Sequence, residues 1–236
     1  MLRSVFIPNK NNAFAWANVL FLVLLVVIGE IDARTILFAY FLETIIIGVF
    51  NCFKMYASYK HNDTTAKIWQ LIPFFIFHYG FFIAVQSVFL FAIFSFGKHS
   101  LVKEPFSIIE NYNTVIHLDG MLIVIGLFTI TQFLKYLFDF SMMKKYNDYK
   151  VNEVMFKPYA RIFIQQFTVI LAGFFMAFSN ASVVAAILLI IIRALVDFFL
   201  VAIRENSVLL DYIVEKSYDG KTSKEDLRKQ LLLMTE

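Results

Sequence analysis

The chain has 236 residues, 60% of them hydrophobic and only 17% charged, and its mean hydropathy is +0.71. A soluble domain carries about 25% charged residues, so this chain has too few to face water all round, and lipid is the expected solvent. A net charge of +3 is too small to suggest a nucleic-acid partner, and Cys52, the one cysteine, excludes an internal disulfide and a cysteine metal cluster.

Crossing the hydrocarbon core takes about 20 mostly apolar residues, and six stretches qualify. The first covers 13–29. The sequence after it, Gly29-Glu30-Ile31-Asp32-Ala33, lacks a small-x-small cleavage site, so it is read as a retained helix and not as a leader. The second covers 35–56. The third covers 69–96, with Pro73 in its first turn, where proline is tolerated. The loop 97–119 is the longest on its side, with an interfacial turn expected over 105–109. The fourth stretch covers 120–140. The fifth (159–178) and sixth (181–204) are separated by Ser179-Asn180 and predict a tight antiparallel hairpin. Backbone groups must close their hydrogen bonds internally in lipid, and no alternating strands are visible. The expected fold is therefore all-α: a polytopic transmembrane bundle of about six helices over 1–205, with a cytoplasmic tail over 206–236. Ser223 and Asp226 form a capping box ahead of Leu227 and Leu231, which predicts a short helix in that tail.

Charge sets the orientation. The N-terminus, second loop, fourth loop and tail, with the helix ends beside them, hold 16 Lys and Arg, Lys135 left aside. The other three loops hold Arg34, Lys98 and Lys103. The positive-inside rule then places both termini in the cytoplasm, in a multi-pass protein of a bacterial inner membrane.

Ionisable residues at mid-bilayer cost about 2.5–3.5 kcal/mol each on insertion scales and usually face a partner helix or a wet cavity. Glu43 lies near the middle of the second stretch, with Asn51 and Lys54 eight and eleven residues on. His78 and Tyr79 lie near the middle of the third. Gln132, Lys135 and Asp139 follow i, i+3, i+7 spacing on the fourth. Arg161 and Gln165 are i, i+4 on the fifth, and Arg193 and Asp197 are i, i+4 on the sixth. Lys54, Lys135, Arg161 and Arg204 lie near inner ends, where snorkelling to the headgroups is the better account of each taken alone. Arg193 and Asp197 can neutralise each other along one helix. Glu43 has no opposite charge within one turn, so it needs an interhelical partner such as Arg193, or a proton. Glu43, Asn51, Lys54, His78, Tyr79, Arg161, Gln165, Arg193 and Asp197 form the expected polar set, placed between the midplane and the cytoplasm with Glu43 deepest.

No phosphate loop, zinc helix or nucleophile elbow occurs, and the histidines are dispersed at 61, 78, 99 and 117. No catalytic residue, metal or cofactor is expected, and the weight is against an enzyme. Tyr40-Phe41-Leu42-Glu43, Gly48 and Asn51-Cys52-Phe53-Lys54-Met55, then His78-Tyr79-Gly80, then Lys157-Pro158-Tyr159-Ala160-Arg161 occur in this order. Together they resemble an uncharacterised family of bacterial and archaeal multi-pass membrane proteins, domain of unknown function 6498. The resemblance covers about 35–205 and implies Glu43, Asn51, Lys54, His78 and Arg161 as a shared polar set. In that family further histidines follow the second and third motifs, where this chain has Gln86 and Gln166. A metal or haem held there by relatives would be lost here.

The favoured expectation is a small-solute or ion transporter-like protein with a cytoplasm-facing polar cavity. The alternatives are a structural or partner-binding membrane subunit, and a membrane enzyme or cofactor protein acting on a lipid or quinone-like substrate. The bilayer is the expected partner. A homo-oligomer and another membrane protein stay open.

Overall fold

The computed structural model describes residues 7–8, 12–95, 101–159, 162–163, 170, 182–205, 207–218 and 223–235. All secondary structure among these described residues is helical. In chain order the helices are α1 (Ala13–Val27), α2 (Ala33–His61), α3 (Ile68–Ser95), α4 (Ile108–Ile116) and α5 (Met121–Leu134). A π-helix (Lys135–Met142) and a short 3-10 turn (Lys145–Asn147) extend α5. They are followed by α6 (151–159), α7 (Ser182–Glu205), α8 (Ser207–Ser217) and α9 (Lys224–Thr235).

Three helical stretches among the described residues are long and apolar enough to cross a membrane: α2, α3, and α5 with its π extension. The apolar helix α1 has 15 residues, and α7 coincides with the sixth apolar stretch. Most of the fifth stretch, and the Ser179-Asn180 turn, lie outside the described residues.

The central element is α2. Residues 35–44 are all buried, on every side of the helix. A helix buried all round belongs at the centre of a bundle, and α2 packs against α3, α5 and α7. With 29 residues it is about 44 Å long. Ile36, Leu37, Phe38, Phe91 and Phe128 fill its surroundings with almost no exposure. Lipid tails are as apolar as these side chains, so their contribution is close packing more than transfer from water. The start of α2 is fixed by Asp32, whose carboxylate accepts the Thr35 N–H at 2.8 Å, an N-cap bond.

Two local features depart from the sequence pattern. Helix α3 begins at Ile68, which puts Pro73 in the second turn and not the first. The carbonyl deprived of an N–H there belongs to Trp69, which is highly exposed. In the fourth stretch the winding opens from α to π at Lys135. The i, i+3, i+7 spacing of Gln132, Lys135 and Asp139 therefore no longer defines one face.

The loops collect at two opposite ends of the bundle. At one end the Thr35 hydroxyl donates to the Asp119 carbonyl at 3.1 Å, and Gly120 packs against Glu30 and Ile31. At the other, the Asn62 amide donates to the Tyr149 carbonyl at 3.1 Å. There the His61 and Tyr146 rings also lie 4.4 Å apart. Between α3 and α5, the expected turn near 105 is followed by the nine-residue helix α4. It is tied to α3 by the Tyr112 and Ser87 hydroxyls at 2.7 Å.

Gly120 precedes α5 with φ +68°, and a Cβ there would sit 2.6 Å from the Glu30 carbonyl oxygen. A left-handed conformation costs an L-residue about 1–2 kcal/mol, and the clash adds to it. Gly120→Ala is expected to lower the thermal unfolding midpoint in detergent micelles. Gly126→Ala, mid-helix with open space around the new methyl, is expected to hold or raise it, since alanine is favoured over glycine by about 1 kcal/mol in a helix.

Candidate functional site

Tyr40 and Glu43 are three residues apart on α2 and share a face. Gln132 and Phe128 are four apart on α5, and Arg193 and Asp197 four apart on α7. Packing of α5 and α7 on α2 brings these three faces together. The Arg193 guanidinium forms an ion pair with Glu43 across the α2–α7 interface. Its Nε donates to Asp197 Oδ2 at 3.4 Å. The other Glu43 oxygen, Oε1, accepts from the Gln132 amide at 3.2 Å. Glu43 is 1% and Arg193 8% exposed.

Two rings enclose the guanidinium. Its central carbon lies 4.1 Å from the Tyr40 ring centroid and 4.7 Å from that of Phe128. A cation over aromatic faces in a desolvated setting gains about 2 kcal/mol. Ionised carboxylates and a guanidinium are costly to strip of water one at a time. Together, with good geometry, their attraction offsets much of that penalty. Beside this cluster the Thr131 hydroxyl donates to the Asn18 side-chain oxygen at 3.0 Å, joining α5 to α1 in a buried position.

A second polar group lies where α2, α3 and α6 meet. The Tyr79 ring packs on Gly48, and its hydroxyl donates to the Thr44 carbonyl at 2.8 Å. A Cβ on residue 48 would come within 2.5 Å of the Tyr79 ring, so only glycine permits this approach. The half-buried His78 meets the Tyr159 hydroxyl through Nδ1 at 2.8 Å. The rings of Phe75, Tyr79 and Phe82 pack around Tyr159 at 5.6–6.2 Å.

The expected polar set thus separates into neighbourhoods. Glu43, Arg193 and Asp197 form one cluster. His78 and Tyr79 join Tyr159, and Tyr79 reaches the residue next to Glu43. Asn51 is buried, and its amide nitrogen has no hydrogen-bond partner among the described residues. Half-buried Lys54 extends towards the π-helix, with its Nζ 5.6 Å from the Phe140 ring centroid. Arg161 and Gln165 lie outside the described residues. The sequence pattern did not single out Tyr40, Phe128 or Tyr159 for these contacts. Rings are so frequent here that none stands out, although Tyr40 at i−3 from Glu43 carries a usable signal. Among the described residues no three His, Cys, Asp or Glu side chains group as a metal site would require.

The Gly48–Tyr79 contact is testable by size. Tyr79→Phe removes one hydrogen bond, worth about 0.6 kcal/mol between membrane helices, and is expected to shift stability slightly. Gly48→Ala must displace a packed ring and is expected to cost clearly more, about 1–3 kcal/mol, in equilibrium unfolding from micelles.

No curated protein and no solved structure matches the chain significantly. The sequence model described as "Family of unknown function (DUF6498)" matches residues 1–229. With nearly the whole length matched, the chain belongs to this family of unknown function.

Proposed function

We propose that this is a six-span, multi-pass protein of a bacterial inner membrane, with both termini in the cytoplasm. In this reading it acts as a small-solute or ion transporter-like protein through a polar cavity open to the cytoplasm. The Glu43–Arg193–Asp197 cluster is its proton- or cation-responsive element. The observation that carries the reading is the interhelical pairing of Glu43 with Arg193 deep within apolar helices. Ionisable groups at such depth are costly and mark ion pathways and proton relays more often than packing. The lysine and arginine bias supports the orientation. The loop contacts agree with it, because 61–62, 146 and 149 gather at one end and 30–35 and 119–120 at the other. Asn51, two turns from Glu43 along α2, supplies buried donors to a polar path.

One observation favours a second reading. Arg193 is held by two carboxylates and two rings at once, as a fixed clamp between helices would be. Under that reading the protein is a structural or partner-binding subunit, and the cluster serves only to lock α7 onto α2.

Glu43→Gln separates the two, because it keeps side-chain volume and can keep the contact with Gln132 while removing the charge. Protein reconstituted in liposomes is tested for uptake of protons, Na⁺ and K⁺ under an imposed potential. The transporter reading expects flux in the wild type and a loss of at least about tenfold in Glu43→Gln, with helical content by circular dichroism unchanged. Absence of flux in the wild type, or equal flux in the variant, supports the clamp.

A further inference from the structure

The tail forms two helices, and they fold back onto the chain. Ser223 caps α9: its hydroxyl accepts the Asp226 N–H at 3.0 Å and donates to the Asp226 carboxylate at 2.7 Å. Arg228 pairs with Asp211 at 2.7 Å and Lys224 with Glu215 at 3.5 Å, which closes α8 and α9 into a hairpin. Beneath these pairs Leu227, Leu231 and Leu232 pack on Ile203, Leu210 and Val214. Ile203 belongs to α7, so an apolar seam roots the hairpin at the C-terminal end of that helix.

The hairpin also reaches α6. Lys229 donates to Glu153 Oε1 at 2.8 Å. Glu153 Oε2 accepts the Lys150 N–H at 2.8 Å, so one carboxylate caps α6 with one oxygen and holds the tail with the other. At the same first turn α6 is tied to the loop after α2, where the Val151 N–H donates to Asp63 at 3.4 Å. The two attachments of the hairpin differ in kind. The root on α7 is apolar and insensitive to salt. The link to α6 joins an exposed lysine to a partly exposed carboxylate, and such pairs are weak and screened by salt.

We propose that the α8–α9 hairpin is a latched strap. It stays rooted on α7, and the Lys229–Glu153 pair opens and closes to release or hold α6. The strap thereby couples α6, which carries Tyr159 and so the contact with His78, to α7, which carries Arg193.

The titration of Glu153 has a definite sign. Burial pushes its carboxyl up. The Lys229 hydrogen bond, the Lys150 N–H and the two positive charges outweigh this and hold it below the ordinary carboxylate range. The Glu153 hydrogen bond and charge raise Lys229, with a smaller contribution from Asp226. A lowered carboxyl stabilises the latch above its unlatched range, and that contribution is lost as pH falls through the lowered value. A raised amine contributes below its unlatched value, and that contribution is lost as pH rises through the raised one. Both groups therefore keep their charges across neutral pH, so salt and not pH is the variable that opens the pair there.

Hydrogen exchange of the full chain in lipid nanodiscs tests this. Raising NaCl from 50 to 500 mM is expected to speed exchange of the α6 amides over 154–159 by about two- to fivefold, with the α7 amides around Ile203, where the apolar root sits, unaffected. Lys229→Met, and Glu153→Gln, which can still cap α6, should show that faster rate already at low salt. Their double variant should be no faster than either. If salt leaves α6 exchange unchanged, or Lys229→Met exchanges as the wild type does, the latch is refuted. If the α7 amides around Ile203 accelerate together with α6, the apolar root is refuted and with it the strap.

Discussion

One buried cation organises this molecule. Arg193 is almost wholly buried in the bundle, and its charge is met by Glu43 from another helix, by Asp197 one turn along its own, and by the faces of Tyr40 and Phe128. No single one of these contacts repays the loss of hydration. Their combination requires α2, α5 and α7 to hold one mutual position, so the charge specifies how the helices assemble. Packing among apolar residues alone would specify it less sharply, because apolar faces in lipid can slide past one another at little cost.

The rest of the bundle is arranged around the same constraint. Glu43 must be central for its partner to reach it, and residues 35–44 are enclosed on every side. Gly48, slightly more than one turn further on, lets Tyr79 of α3 approach closely, and the Tyr79 hydroxyl returns to the Thr44 carbonyl beside Glu43. The position of α3 is thus referred to the same stretch of α2 that holds the charge cluster. At the end of the bundle that carries the tail, contacts among the loops and the tail hairpin join the ends of α2, α6 and α7. The bundle interior and this end of it are fixed by different physics: desolvated charge in one, exposed and screened pairs over an apolar seam in the other.

Much of the charged cluster was legible in the sequence for a specific reason. Glu43 had no opposite charge within a turn of its own helix, so it needed an interhelical partner or a proton, and Arg193 was the candidate partner at comparable depth. The i, i+4 spacing of Arg193 and Asp197 indicated their contact directly. The tail helix beginning after Ser223 was legible through its capping box. What was not legible depends on contacts between distant segments. Among 29 phenylalanines and 11 tyrosines, no local pattern marks Phe128 as the ring beneath Arg193, or Tyr159 as the partner of His78. The change to π winding at Lys135 has no sequence signature, and it removed the stripe expected of Asp139. Glu153 resembled an ordinary surface carboxylate until α9 folded back upon it.

The coupling free energy between Glu43 and Arg193 tests the central claim most directly. It is measured by unfolding the wild type, Glu43→Gln, Arg193→Met and the double variant in the same bilayer-mimicking micelles. If the ion pair organises the bundle, the two substitutions should be strongly non-additive, with a coupling above about 1.5 kcal/mol, well beyond the average of about 0.6 kcal/mol for polar contacts between membrane helices. Additivity to within about 0.5 kcal/mol would mean that each residue is stabilised independently of the other, and would contradict the account.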